Sequence, residues 1–224
     1  IEDGRIARID GEIPAPEGAT VVDAEGAHLL PGMIDDQVHF RDPGAPHKGS
    51  IHSESRAAVA GGVTSFMNMP NTNPTTTTHE ALEDKHAVAA RDAAANWGFY
   101  FGATNDNLDE IRTVDRNRVC GVKVFMGAST GNMLVDNEQT LAGIFRDANL
   151  VIATHCENSP MIEANYRAAL EKFGPQIPVT EHPKIRSAEA CYASTELAVS
   201  LARQYDADLH VLHLTTAREL NFFE

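Results

Sequence analysis

Residues 32–40, GMIDDQVHF, form an apolar run that ends in polar side chains. A run of this length and composition is typical of a buried strand. Five more runs of the same kind follow along the chain: VTSFMNMP (63–70), WGFYFGAT (97–104), GVKVFMG (121–127), NLVIATHC (149–156) and DLHVLHL (208–214). Because several of these runs are apolar on both faces, they predict the strands of a buried parallel sheet.

Helical patterns separate the predicted strands, over residues 79–96, 136–148, 159–174 and 187–205. Asp136 and Ser159 are the predicted N-caps of the second and third helices, with Pro160 at the first helical position and Gly174 as the stop. This alternation predicts an α/β fold. Six strands fit either an open doubly wound sheet or most of a (β/α)8 TIM-like barrel. The barrel is favoured because no G-x-G-x-x-G follows the first strand and polar residues lie at the carboxyl ends of the strands.

Residues 1–30 have a different sequence pattern, with short β-like segments between turns at Asp3-Gly4, Glu17-Gly18 and Glu25-Gly26. These segments predict antiparallel hairpins that are too small to bury a core alone. The sequence therefore predicts two regions, 1–30 and 31–224. The chain begins at Ile1 within a predicted strand and stops within a predicted helix start, so we expect it to be a fragment of a longer protein.

Composition excludes several classes of protein. Lys and Arg number 18 and Asp and Glu 32, so the formal net charge is −14. A general nucleic-acid binder needs clustered positive charge, and this chain lacks it. No apolar run reaches the length of a membrane span. The three widely spaced cysteines predict reduced thiols in a cytoplasmic protein.

Three histidines and one lysine fall at the ends of four different predicted strands, namely His39, Lys123, His155 and His213. Taken singly, each strand-end histidine has an ordinary explanation as a hydrogen-bonded core residue. A lysine inside an apolar strand is rarer, because burying its charge without a partner is costly. Since the carboxyl ends of parallel strands meet at one edge of a barrel, the joint pattern predicts a metal site.

The residue types also suggest the chemistry. Neutral imidazoles bind Zn²⁺ well, and a buried lysine can exist as a neutral amine that takes up CO₂ to form an anionic carbamate. Such a carbamate can bridge two metal ions, which polarise a carbonyl and activate water for hydrolysis of an amide-like bond. Arg41, two residues beyond His39, is placed to hold a substrate carboxylate through a forked pair of hydrogen bonds.

The motifs together resemble a known family. The segment LLPGMIDDQVHFRDPG (29–44) resembles the dihydroorotase signature of the amidohydrolase superfamily, and GGVTSFMNMPNTNP (61–74), GVKVFMGASTGNM (121–133), ATHCE (153–157) and LHVLHLTT (209–216) match its later motifs in order and spacing. The resemblance covers the whole chain and implies a zinc-dependent barrel whose N-terminal strands belong to a small β-sandwich. It implies a small-molecule substrate, dihydroorotate or N-carbamoyl-aspartate, and leaves the oligomeric state open, a homo-oligomer included. The roles it implies are metal ligands at His39, Lys123 (as the carboxylated bridge), His155 and His213, and substrate-binding residues at Arg41 and Asn71.

Two departures from the family pattern matter. Gln37 stands where the family has the first histidine of H-x-H, and an amide oxygen is a poorer zinc ligand than imidazole. One or two metal ions therefore fit the sequence. The family's catalytic aspartate ends the eighth strand, which would lie beyond residue 224, so we expect residues 1–224 alone to be inactive.

Other interpretations stay open at this point. A hydantoinase or allantoinase would open a related ring, although their neutral substrates would not need Arg41. A non-catalytic homologue that serves as a structural partner is consistent with Gln37. Residues 127–132 predict a loop over the mouth of the site, and Cys156 is expected to be a buried core thiol facing away from His155.

Overall fold

The computed structural model describes residues 1–127 and 132–223. Its helices and strands alternate along the chain from Met33 onwards. The strands are β1 (Met33–Val38), β2 (Val63–Asn68), β3 (Asn96–Gly102), β4 (Gly121–Phe125), β5 (Ile152–His155) and β6 (Leu209–Val211). The helices are α1 (Ile51–Ala60), α2 (His79–Asp92), α3 (Leu108–Thr113), α4 (Glu138–Asp147), α5 (Ser159–Phe173), α6 (His182–Ile185) and α7 (Ala188–Tyr205). Short 3₁₀ turns lie at Pro46–Lys48, Val179–Glu181 and Ala217–Phe222.

The order of the strands decides between the two predicted architectures. The six strands form one sheet in the order β1-β2-β3-β4-β5-β6, and every neighbouring pair is parallel. A doubly wound sheet reverses its strand order at a switch point, whereas a barrel adds each strand beside the previous one. The described part of the chain is therefore a section of a barrel wall, and the prediction of a TIM-like fold is confirmed.

The sheet is also strongly curved. Asp36 on β1 and His210 on β6 belong to the first and last strands of the sheet, yet Oδ2 of Asp36 lies 3.7 Å from Nε2 of His210. In a flat sheet five inter-strand spacings would separate these strands by about 24 Å. The strands must therefore wrap around a common axis, as they do in a barrel.

Both faces of the sheet are buried along β4 and the later part of β3, which explains their continuous apolar runs, whereas most of β1 is exposed. Phe99 and Phe101 of β3 pack into the larger hydrophobic cluster, which includes side chains of the helices such as Leu82 and Ile144. Tyr100, between the two phenylalanines, packs into a second cluster with Met69, Ala153 and Leu212. Because successive side chains of a strand point to opposite faces, the two clusters lie on opposite sides of the sheet. The prediction of strands apolar on both faces is confirmed.

Two predicted helix caps were wrong by one residue. Helix α4 is capped by Asn137, whose Oδ1 accepts a hydrogen bond from the Thr140 amide at 3.0 Å. The carboxylate of Asp136 is already engaged with Asn105 Nδ2 at 2.9 Å, so it is not free to cap.

Helix α5 is capped by Asn158 through the Met161 amide at 3.0 Å, which places Ser159 at the first helical position and Pro160 at the second. Gly174 ends α5 with a φ of 68°, as expected from its position. Helix α2 ends at Asp92, before the predicted limit of 96, because Asn96 already begins β3.

Residues Ile1–Pro31 form a separate compact unit. The predicted turns are present, with Gly4, Gly18 and Gly26 at φ values of 74°, 82° and 81° that favour glycine. Between residues 1 and 31 the backbone pairing consists of an isolated bridge from Glu2 to Arg5, without regular strands. Membership of this segment in a β-sandwich stays a prediction. In the described part of the chain, none of the helices combines the length and the apolar character that crossing a membrane requires.

Candidate metal centre

The candidate site residues gather at the carboxyl edge of the sheet. His39 follows β1, Asn71 follows β2, His155 ends β5 and His213 lies two residues beyond β6. Nδ1 of His39 lies 2.8 Å from Oδ1 of Asn71, and Nδ1 of His155 lies 3.2 Å from Nε2 of His213. Residues up to 174 positions apart in the sequence are thus brought to one edge, since parallel strands end on the same side.

His155 and His213 form a close pair. Their ring centroids are 4.9 Å apart and the rings are nearly perpendicular, at 72°. His213 has a φ of 37°, in the left-handed region that non-glycine residues seldom adopt. Burial is the largest cause that lowers the pKa of both imidazoles, and at His155 it outweighs the hydrogen bond with Glu157, which acts in the opposite direction. Both rings are therefore biased toward the neutral form, which is the form that binds a metal ion.

Lys123 is the most unusual of the candidate ligands. It lies in the middle of β4, not at the strand end that the sequence predicted, and is 1% exposed. It pairs with Ala153, two residues before His155 on the neighbouring strand. Among the described residues its Nζ has no hydrogen-bond partner, and it lies over the face of Phe125, with 4.5 Å from Nζ to the ring centroid. Burial lowers the pKa of Lys123 to about 7. A large fraction of the lysine is therefore the neutral amine at physiological pH.

The donor set fits a zinc ion if Lys123 is carboxylated. Two nitrogens bound tetrahedrally to zinc at 2.0–2.1 Å are about 3.3 Å apart, close to the 3.2 Å between His155 Nδ1 and His213 Nε2. Within the residues that the structure describes, no three His, Cys, Asp or Glu side chains are grouped to hold a metal ion. A third ligand must therefore be of another type, and a carboxylated Lys123 would supply anionic oxygens at this place.

Arg41 and Asn71 line a neighbouring cavity of about 590 Å³, together with Lys48. The cavity therefore carries two cationic side chains and amide groups, a combination suited to a carboxylate. Gln37 is half-buried on β1, two residues before His39. Among the described residues its side chain makes no hydrogen bond to the other candidate ligands.

Cys156 occupies the position predicted for it. It is buried, its Sγ donates to Thr154 Oγ1 at 3.2 Å, and burial raises the pKa of the thiol. Such a thiol packs as a small apolar side chain and is a poor nucleophile.

Most of the predicted loop over the mouth of the site, residues 128–131, lies outside the described residues. All three cysteines lie among the described residues and are free.

Sequence reasoning missed Glu157 and Arg186. Glu157 is 7% exposed, and its Oε2 lies 2.7 Å from Nε2 of His155. Arg186, just before α7, donates from Nε to Oε1 of Glu157 at 2.8 Å. The available signal was the two-residue spacing from His155, which places Glu157 beside a candidate ligand. Nothing in the local sequence points to Arg186, which lies 29 residues beyond Glu157.

Comparison with known proteins places the chain in a family. The sequence profile of the family described as dihydro-orotase-like matches residues 26–164, more than half of the chain. The chain belongs to the dihydro-orotase-like family. The expected family membership is thus confirmed.

Relatives within this family include a dihydroorotase of Halobacterium salinarum, 35% identical over 96% of this chain and 52% of the relative. An allantoinase of Deinococcus radiodurans is 31% identical over 95% of this chain and 48% of the relative. The solved structure of an L-hydantoinase (dihydropyrimidinase) from Arthrobacter aurescens superposes with a TM-score of 0.92 at 26% identity, over 99% of this chain and 50% of that one. This member of the family therefore spans about half the length of the curated relatives it matches.

Proposed function

We propose that the protein to which this chain belongs is a dihydroorotase, which reversibly hydrolyses the cyclic amide of dihydroorotate to N-carbamoyl-aspartate in pyrimidine biosynthesis. The observation that carries the proposal is Lys123, a buried amine without a partner among the described residues, which lies level with Ala153, two residues before His155 of the converging His155–His213 pair. Two histidines and a carboxylated lysine would make a hydrolytic zinc site. Free thiols and this metabolic role fit a cytoplasmic location.

In the proposed site, His155, His213 and carboxylated Lys123 would hold one zinc ion, and His39 together with Lys123 would hold a second. Zinc supplies Lewis acidity and lowers the pKa of water toward neutrality. Burial keeps the histidines neutral and therefore available as ligands. Gln37 weakens the His39 side, because an amide is a poorer ligand than imidazole.

In this proposal Arg41 and Asn71 bind the substrate. A guanidinium pairs with a carboxylate through two parallel hydrogen bonds, which fix both position and orientation. Oδ1 of Asn71 accepts a hydrogen bond from Nδ1 of His39, and Asn71 lines the same cavity as Arg41. The two side chains would hold the ring of dihydroorotate with its amide bond toward Lys123 and the histidine pair.

Hydantoinase or allantoinase activity is the second candidate. It is favoured by the likeness to an L-hydantoinase structure and by allantoinase relatives at 30% identity or above. The cationic cavity argues for an anionic substrate, because a neutral hydantoin ring gains little from Arg41. A non-catalytic homologue is the third candidate, and Gln37 is the residue that favours it.

The test is to assay the intact protein with zinc and bicarbonate on dihydroorotate, hydantoin and allantoin. We expect turnover of dihydroorotate to exceed that of both neutral rings by at least tenfold. Preference for hydantoin or allantoin would replace the proposal with the second candidate. Zinc binding without turnover of any ring, or no zinc binding at all, would support the non-catalytic homologue.

A further inference from the structure

Glu157 sits between a proposed zinc ligand and a cation. Its Oε2 lies 2.7 Å from Nε2 of His155, and its Oε1 accepts from Nε of Arg186 at 2.8 Å. A second guanidinium nitrogen of Arg186 also contacts Oε2. Both oxygens of a nearly buried carboxylate are thus engaged, one of them by a histidine whose other nitrogen faces His213.

The backbone on either side of Cys156 packs against the segment that follows β4. The amide of Met126 donates to the carbonyl of His155 at 3.0 Å. Gly127 packs so closely that a Cβ on it would lie 2.2 Å from the carbonyl oxygen of Glu157. The main chain that carries His155 and Glu157 is thus in direct contact with the end of the neighbouring strand.

A carboxylate at Nε2 determines which tautomer His155 adopts. A carboxylate can only accept a hydrogen bond, so Nε2 carries the proton and Nδ1 keeps its lone pair. Nδ1 is the atom that lies 3.2 Å from His213 Nε2. The lone pair of His155 is thereby directed to the point where the nitrogens of the pair converge. A hydrogen-bonded carboxylate also makes the imidazole a stronger ligand.

An ion pair stabilises this arrangement. The guanidinium of Arg186 contacts both oxygens of Glu157, which is the pairing that a guanidinium makes with an ionised carboxylate.

We propose that Glu157 is a positioning residue, which sets the tautomer and orientation of His155 for zinc, and that Arg186 holds Glu157 in place. The inference rests on the proposed zinc site. It adds that the carboxyl end of β5 is tied, through Glu157, to the segment that leads into α7.

The experiment measures zinc affinity of the intact protein by competition with a chromophoric chelator. Glu157→Gln keeps the size of the side chain and removes its charge, and we expect zinc to bind about 10- to 100-fold more weakly. Glu163→Gln is the matched control, since this exposed glutamate of α5 pairs with Arg167 one helical turn away. The control should bind zinc as the wild type does.

A second readout separates positioning from simple support of the fold. In protein loaded with Co²⁺, the visible absorption bands should shift in Glu157→Gln and stay unchanged in Glu163→Gln, because the bands report ligand geometry. Equal zinc affinity and equal spectra in the two variants would overturn this inference alone. Failure of the wild type to bind zinc would overturn both it and the proposed site.

Discussion

The side chain of Asn68 is clamped to the backbone of Phe40. Its Oδ1 accepts a hydrogen bond from the Phe40 amide at 3.0 Å, and its Nδ2 lies 3.5 Å from the Phe40 carbonyl. Asn68 is fully buried at the end of β2, and Phe40 lies beyond the last residue of β1. The amide side chain thus replaces the ladder hydrogen bonds that β1 no longer makes. Since His39 and Arg41 flank Phe40, the clamp fixes the chain direction of both.

Asn68→Leu, which keeps the approximate size of the side chain, should lower the free energy of unfolding by about 1–3 kcal/mol, because it leaves the buried Phe40 amide without an acceptor. It should also lower kcat/KM for dihydroorotate, through misplacement of His39 and Arg41. Denaturant unfolding and steady-state kinetics measure the two effects. Asn96→Leu, at the exposed start of β3, serves as the control and should change neither. A variant of Asn68 with unaltered kinetics would show that the clamp does not position the site.

Lys123→Met should remove activity without a loss of stability. The buried amine has no partner among the described residues, and its desolvation opposes folding. A methionine of similar length should therefore leave the metal-free protein as stable as the wild type, or more stable by about 1 kcal/mol or more. Turnover should fall to background and zinc binding should weaken strongly. The measurement is denaturant unfolding in chelator-treated, bicarbonate-free buffer beside an activity assay. A fall in stability of several kcal/mol would mean that Lys123 makes a stabilising contact in the fold.

Arg41→Met should change the choice of substrate. Loss of a charged contact should weaken binding of the transition state by about 2–4 kcal/mol. The value of kcat/KM for dihydroorotate should therefore fall roughly 30- to 1,000-fold. Uncharged dihydrouracil lacks the carboxylate, and its turnover should hardly change. Arg91→Met, an exposed change on α2, controls for loss of charge. Equal losses for the two substrates would reject carboxylate binding by Arg41.

Gln37→His should strengthen the weaker half of the proposed metal site. The wild type should hold nearer one zinc than two when zinc is limiting, because Gln37 is a poor substitute for imidazole. Restoring a histidine two residues before His39 should raise occupancy toward two. Metal analysis after gel filtration measures both proteins. Two equally tight zinc ions in the wild type would show that Gln37 does not limit binding.

Lys85 predicts a pH dependence of stability. This lysine of α2 is fully buried, and its Nζ donates to the Met69 carbonyl at 2.8 Å and to Thr76 Oγ1 at 3.3 Å. Burial lowers its pKa to about 7 in the folded protein, against about 10.4 in the unfolded chain. Between these values the unfolded state binds more protons, so that the free energy of unfolding rises with pH by up to about 1.4 kcal/mol per pH unit.

Lys85→Met removes this contribution, so the slope of stability against pH should be smaller than in the wild type between pH 7.5 and 9.5. Denaturant unfolding at three pH values measures it, and Lys172→Met on the exposed face of α5 provides a control with an unchanged slope. Parallel curves for the wild type and Lys85→Met would show that Lys85 stays protonated when buried. Lys123 also has a lowered pKa, but it is present in both proteins and cancels in the comparison.

The sequence by itself determined the α/β class, the places of the six strands and most of the long helices. Those features follow from local sequence patterns. Apolar runs such as 121–127 indicate buried strands, and Gly174 can adopt a backbone conformation that ends a helix. The one-residue error at Asp136 has a non-local cause, because Asn105 engages its carboxylate, whereas at Ser159 the neighbouring Asn158 provides the cap. The sequence also placed His39, His155 and His213 at the ends of apolar runs and Lys123 inside one, since that requires only the position of each run.

The pairing of the strands and the contacts between side chains at their ends depend on the tertiary structure. The order β1 to β6, which separates a barrel from a doubly wound sheet, depends on which strands pair, and local patterns do not encode pairing. The facing nitrogens of His155 and His213 come from residues 58 positions apart, and the Glu157–Arg186 pair joins residues 29 positions apart. Such contacts arise when the sheet curves and the helices pack on it, because packing fixes distances that chain connectivity leaves free. The isolation of the Lys123 amine is likewise a property of the folded interior, where neighbouring side chains exclude water and none within the described residues accepts its hydrogen bond.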